Sequence, residues 1–152
     1  MKKPVRVIDY PGHHRLRTGL TPLIRNAACI VFMVDANSDA ETLTKCSDLL
    51  YELLTNAFVY NNAIPLLVAC NKSEMTTSKG VDHIKSLLES ELNEVRSSRT
   101  ATPGMDQENE IFLGVENEKL VFSQIPVPIQ FIGCSVKNNE IKELLSFIEN
   151  SV

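Results

Sequence analysis

Two unbroken apolar runs, "CIVFMV" (Cys29 to Val34) and "IPLLVAC" (Ile64 to Cys70), constrain the fold of this chain more than any other feature. Neither alternates apolar with polar residues, so each reads as a strand covered on both faces, the situation of a parallel sheet between helical layers. "VRVI" near the start and "IQFIGC" (Ile129 to Cys134) are shorter runs of the same kind. Between them the spacing changes from two to about 3.6. Leu43, Cys46, Leu50, Leu53, Leu54, Ala57 and Phe58 share one helical face, opened by a Ser38–Glu41 capping box and stopped at "NNAIP". A second helix carries Val81, Ile84, Leu87, Leu88, Leu92 and Val95, and a third Ile141, Leu144, Leu145 and Ile148. Strands alternating with helices predict an α/β layer fold.

The 152 residues fit one domain, 1–152, with no internal repeat or linker. "SSRTATPGMDQENE" (Ser97 to Glu110) lacks periodicity and holds a Pro-Gly pair, so a mobile surface loop is expected over 97–110. "IFLG" and "KLVFSQIP" beyond it are expected to pair as a short hairpin. A net charge of -4 argues against direct nucleic-acid binding and against adhesion to anionic membranes. No apolar stretch approaches the roughly 20 residues that span a bilayer. Cys29, Cys46, Cys70 and Cys134 show no CxxC spacing, and three lie in or at the end of apolar runs, as buried thiols do.

Ligands of open α/β sheets gather at the carboxyl ends of strands. Three run ends carry polar clusters: "DYPGH" from Asp9, "NKSE" from Asn71, and "CSVK" from Cys134. Singly, each has a plain reading as a turn or helix cap. Their shared order is the stronger signal. "DYPGH" resembles the DxPGH form of a GTPase switch II, "NKSE" the NKxD guanine motif, and "CSVK" the SAK motif. With "AACIVFMVDA", "LLYELL" and "LESELNEVRSSRTATP", they make the chain resemble the signal recognition particle receptor β-subunit family, Arf-related small GTPases, from about Val5 to the end.

That resemblance implies a P-loop GTPase-like three-layer α/β sandwich with a mostly parallel sheet. It also implies GTP and Mg2+ as ligands, the receptor α subunit as partner, and the cytosolic face of the endoplasmic reticulum membrane as address. Asp9 would reach magnesium through water, and the Gly12 N–H would approach a γ-phosphate. His13 stands where most relatives place a water-orienting glutamine; His14 reads as an ordinary surface residue. Asn71 would brace the base loops, and the stem of Lys72 would cover the purine ring. Glu74 replaces the aspartate that accepts from guanine, and its extra methylene is expected to cost on the order of tenfold to a hundredfold in affinity. Ser135 and Val136 would offer backbone N–H groups to guanine O6, with Lys137 packed over the loop. Arg15, Arg17 and the segment up to Arg25 would face the partner.

No Gly-Lys pair occurs in the sequence, so the GxxxxGK[ST] phosphate cradle is missing, as is the switch I threonine. The family's first strand, P-loop, switch I and membrane anchor are therefore expected to be lacking. The run at Val5 to Ile8 and the run at Cys29 to Val34 would lack their common neighbour, and would have to close the gap, stay apart with unpaired backbone groups or borrow a strand, with apolar surface exposed and the fold marginal. The alternatives are a non-enzymatic module that binds the α subunit, an Arf-like trafficking GTPase (a group that usually reads DxGGQ), and a translation-factor GTPase.

Overall fold

The computed structural model describes residues 4–101 and 111–152, and of His14 the backbone alone. Three strands, β1 (Ile30–Asp35), β2 (Leu66–Asn71) and β3 (Ile129–Gly133), form one parallel sheet in the order β1-β2-β3. β2 is paired on both edges, with Asp35 opposite Asn71 and Cys70 opposite Gly133. Its residues from Leu66 to Cys70 are all buried, as an unbroken apolar run requires.

The pleat divides that run between two cores. Leu66, Val68 and Cys70 join Phe32, Val34 and Ile24 of the one-turn α1 (Thr21–Ile24) in the core shared with α2 (Ala40–Leu54), α3 (Ala57–Asn61) and α4 (Val81–Ala101). Leu67 and Ala69 face the opposite way, against Phe147 of α5 (Lys142–Ser151) and its flanking Leu144 and Ile148. The result is the three-layer sandwich expected. Leu50, Leu54, Ile84, Leu88 and Leu92 are fully buried where α2 meets α4.

Several local expectations are corrected. The helix read through Phe58 breaks after Leu54, because the Asn56 side chain accepts the N–H groups of Phe58 and Val59 and starts α3 afresh. Asp39, not Ser38, caps α2 by accepting the Thr42 N–H; the Ser38 carbonyl instead accepts the Lys79 ammonium. α4 runs on through Ala101, so 97–101 is helix rather than loop, while 102–110 lies outside the described residues.

The expected hairpin does not form. Arg96, buried on α4, donates to the carbonyls of Leu113 (2.9 Å), Val115 (3.3 Å) and Glu118 (2.5 Å) and to Asn93 Oδ1 (2.9 Å). One guanidinium thus satisfies carbonyls that would otherwise need a partner strand. Leu113, Leu120, Phe122 and Ile125 then pack inward from an irregular path.

Nor does "VRVI" form a strand. Residues 4–13 have no regular structure, and Val7 is 75% exposed. A cleft of about 1290 Å³ separates this segment from β1. Consecutive residues Ile30 to Met33 line it, so it opens on the strand's edge rather than on one face of the sheet. The two runs stay apart, and Met33 is 45% exposed at the rim.

Two outcomes are expected. Arg96→Ala should lower unfolding free energy by about 3 kcal/mol in urea titrations, since it strands the buried Leu113 carbonyl and the part-buried carbonyls of Val115 and Glu118. Hydrogen exchange should then quicken over 113–120 before it does in β2. At high concentration the native chain should self-associate through its open edge, and Met33→Lys should suppress the light-scattering signal.

Candidate functional site

The parallel register brings the carboxyl ends of β1, β2 and β3 level, and the loops leaving them are tied together there. Asn71, the last residue of β2, turns its side chain toward the loop after β3, where Oδ1 accepts the Val136 N–H at 3.0 Å. The Ser73 N–H donates to the Cys134 carbonyl at 3.1 Å, and the Cys134 N–H to the Cys70 carbonyl at 2.9 Å. Two sequence-distant motifs, "NKSE" and "CSVK", thereby become one surface.

Lys72 has a left-handed backbone (φ 68°), which an ordinary side chain adopts only where its surroundings hold it. Here its carbonyl accepts from the Ser78 hydroxyl at 2.9 Å and from the Met75 N–H at 3.1 Å. The side chain turns back across the strand tips, and Nζ meets Asp35 Oδ2 at 2.5 Å. Asp35 appears in none of the motifs. The Lys72 ammonium, followed by burial and the Asn37 N–H, sets its carboxyl, and the net effect is a pKa below the ordinary value.

Glu74 is half-buried and leans on Ser135, whose hydrogen bond lowers the carboxyl's pKa. The added methylene lets the side chain fold back onto the neighbouring loop. Its Oε2 is buried without a hydrogen-bond partner. An unmet acceptor of that kind fits a ligand edge that carries N–H donors, as guanine's does.

The backbone donors differ from expectation. The Val136 N–H is already taken by Asn71, and the Ser135 N–H closes a bridge to the Glu140 carbonyl at 3.2 Å. The Asn138 N–H goes to Ser135 Oγ at 3.1 Å and the Asn139 N–H to the Val136 carbonyl at 3.2 Å. Neither Ser135 nor Val136 has an idle N–H for guanine O6. Lys137, exposed on the same turn, sits between these engaged groups.

The opening motif occupies a different place. Asp9 and Gly12 line the cleft beside β1. A β-carbon at Gly12 would make only an ordinary 3.7 Å contact with Leu49, so glycine is not demanded there by the packing. His13 Nδ1 accepts the Arg15 N–H at 3.3 Å, which turns the imidazole onto its own 3-10 turn (His14–Gly19). Tyr10 closes the same turn by donating its hydroxyl to the Leu16 carbonyl. Arg17 is directed inward, donating to Glu52 Oε1 at 3.3 Å and to the Lys45 carbonyl at 3.4 Å; Arg15 and Arg25 remain exposed. Asn71, Lys72, Glu74, Ser135, Val136 and Lys137 are therefore brought together on two joined loops, whereas Asp9 and Gly12 line the cleft beside β1 and His13 caps the 3-10 turn.

Among the described residues no group of three His, Cys, Asp or Glu side chains is placed to hold a metal ion. A lone Asp9 does not make a magnesium site, so no metal-dependent step follows from these residues. Burial pushes the Cys70 thiol up to about 11, which marks it as an inert core group. Among the described residues no helix is long and apolar enough to cross a membrane.

Comparison with known proteins gives a consistent set of likenesses. The profile of the family "Signal recognition particle receptor beta subunit" matches residues 1–128. The signal recognition particle receptor subunit beta of Dictyostelium discoideum is 34% identical over 149 residues, covering 94% of this chain and 51% of its own length. The Mus musculus protein of that name is 33% identical, covering 86% of this chain and 50% of its own length. The chain thus spans about half the length of the relatives it matches. Among solved structures, the mammalian SRP receptor superposes with a TM-score of 0.80 at 29% identity, over 93% of this chain and 71% of that one. A Chaetomium thermophilum SRb-GDP-Mg structure gives 0.78 at 22% identity, over 95% and 79%, a likeness of fold.

The pH dependence can be given a sign. Asp35, Asp39 and Glu74 all have folded pKa values below the ordinary range. Their stabilisation is complete above the unfolded carboxylate value of about 4, and is lost as pH falls through the lower folded values. Urea midpoints are therefore expected to be insensitive to these groups between about pH 5 and 7 and to fall below about pH 4. Glu74→Gln should shrink that acid limb by lowering the neutral plateau, leaving stability at low pH little changed.

Proposed function

Since the chain belongs to the signal recognition particle receptor β-subunit family, we propose that it carries the base-binding side of a guanine-nucleotide domain. In that reading it acts as the receptor's β subunit in co-translational targeting, at the cytosolic face of the endoplasmic reticulum membrane. The observation that carries the base site is the junction of the two loops. Asn71 fixes the Cys134–Lys137 turn through Val136, and Glu74 keeps an unmet acceptor at the same place. GTP is the proposed ligand, in keeping with relatives solved as SRb-GDP-Mg and as an SRb-GTP/SRX complex.

The residues divide the work. The Lys72 stem offers an apolar strip for the flat purine ring, and Glu74 Oε2 accepts from the base's N–H groups. With the Ser135 and Val136 donors engaged elsewhere, O6 recognition falls to the Lys137 N–H.

The engaged His13 imidazole favours a second element of the reading, that this chain acts as a binding module rather than by turnover. The proposed partner is the receptor α subunit, met by exposed residues such as Arg15 and Arg25 on the segment between Asp9 and Arg25.

Competition between guanosine and adenosine nucleotides for the chain, read by fluorescence with and without magnesium, is the direct test. Binding selective for guanine, abolished by Glu74→Ala, and little changed by magnesium is expected. Equal binding of both bases would overturn the base site. Turnover of GTP by the 152-residue chain would overturn the module. Co-purification with the α subunit's N-terminal domain should survive Glu74→Ala.

A further inference from the structure

Asp35 is placed by the fold rather than by any motif. It ends β1 directly opposite Asn71, so the next residue of β2's loop, Lys72, emerges one position beyond it. The left-handed turn at Lys72 then sends the side chain sideways across the strand tips instead of outward into solvent. Both ends of the resulting ion pair are fixed. Asp35 Oδ1 accepts the Asn37 N–H at 2.9 Å, which orients the carboxylate. The Lys72 carbonyl is held by Ser78 and Met75. Between these anchors the four methylenes link the tip of β2 to the tip of β1. The Lys72 side chain is still 47% exposed, so part of it stays open to a ligand.

The same edge is stapled further out. Thr77 donates to Asn37 Oδ1 at 2.5 Å, and the Lys79 N–H to the Ala36 carbonyl at 2.9 Å. These contacts hold the two loops together without Asp35, so the ion pair is not needed to close them. Its separate consequence is to immobilise a lysine, the side chain that otherwise keeps the most rotamer freedom.

We propose that Asp35 is the positioning residue of the base site: its carboxylate anchors the Lys72 ammonium and preforms the aliphatic surface on which a purine ring packs. The inference rests on the base-site reading above. Because the anchored group contacts the face of the ring and not its edge, Asp35 governs affinity for purines in general. Choice among them lies with Glu74. Freezing one long side chain ahead of binding is worth about threefold to tenfold in affinity.

The test compares wild type, Asp35→Asn, Lys72→Ala and the double variant in fluorescence titrations with GDP and with xanthosine diphosphate. Asp35→Asn keeps the acceptor for the Asn37 N–H and removes only the charge. It should weaken both nucleotides by the same factor, about threefold to tenfold, leave their ratio unchanged, and keep the melting temperature within a few degrees of wild type. In the Lys72→Ala background it should have no further effect, and Asp35→Glu should restore part of the loss. An unchanged affinity in Asp35→Asn, or an equal further loss in the Lys72→Ala background, overturns the positioning role while leaving the base site standing. Failure of the wild type to bind either nucleotide overturns the base site itself and this role with it.

Discussion

Everything at the functional end of this molecule depends on the pairing of β2 with both of its neighbours. A strand that spends all its backbone groups on two parallel ladders must bury both faces, and here the pleat gives one face to α2 and α4 and the other to α5. The same pairing sets three strand ends level. Asp35 and Asn71, 36 positions apart, face each other across the ladder, and Asn71 meets Cys134, 63 positions further on, because the register leaves no slack. Most of the polar organisation of the site is a by-product of that alignment.

The contrast between the two halves of the candidate machinery has a physical cause. The base-side residues sit on loops whose roots are rigid, so their side chains find partners: Asn71 with Val136, Lys72 with Asp35, Glu74 with Ser135. The opening segment has no ladder to root it. Its polar groups satisfy one another locally, Tyr10 with Leu16 and His13 with Arg15, and it lies across an apolar cleft from β1. A parallel sheet with a bare edge exposes unpaired backbone and apolar side chains together, and so the cleft and the irregularity of residues 4–13 belong to the same missing set of hydrogen bonds.

Glu74 illustrates how one methylene changes a site without changing its charge. The carboxylate lies beside Ser135, which lowers its pKa, and its Oε2 is buried without a hydrogen-bond partner. A ligand at this place must either use the idle oxygen or displace the carboxylate. In the proposed base site, guanine affinity and loop cohesion would be coupled through this single side chain.

The amino-acid sequence by itself determined the layers: runs such as "IPLLVAC" admit no reading except a doubly covered strand, and the 3.6 spacing of Leu43, Leu50 and Leu54 places α2 on them. It also marked Asn71, Lys72, Glu74 and the Cys134 turn, because those residues follow buried runs where ligands gather. It did not disclose Asp35, Arg96 or the engagement of the Val136 N–H. Each of these depends on a partner at least 17 positions away, at a distance fixed by strand register or helix packing. Nor did periodicity reveal that Asn56 would end one helix and start another, or that "VRVI" would find no neighbour, since β-propensity becomes a strand only where a second edge is within reach. Apolar spacing is a local property and is written along the chain. Hydrogen-bond partnership across loops is a property of the folded geometry, and only tertiary structure decides it.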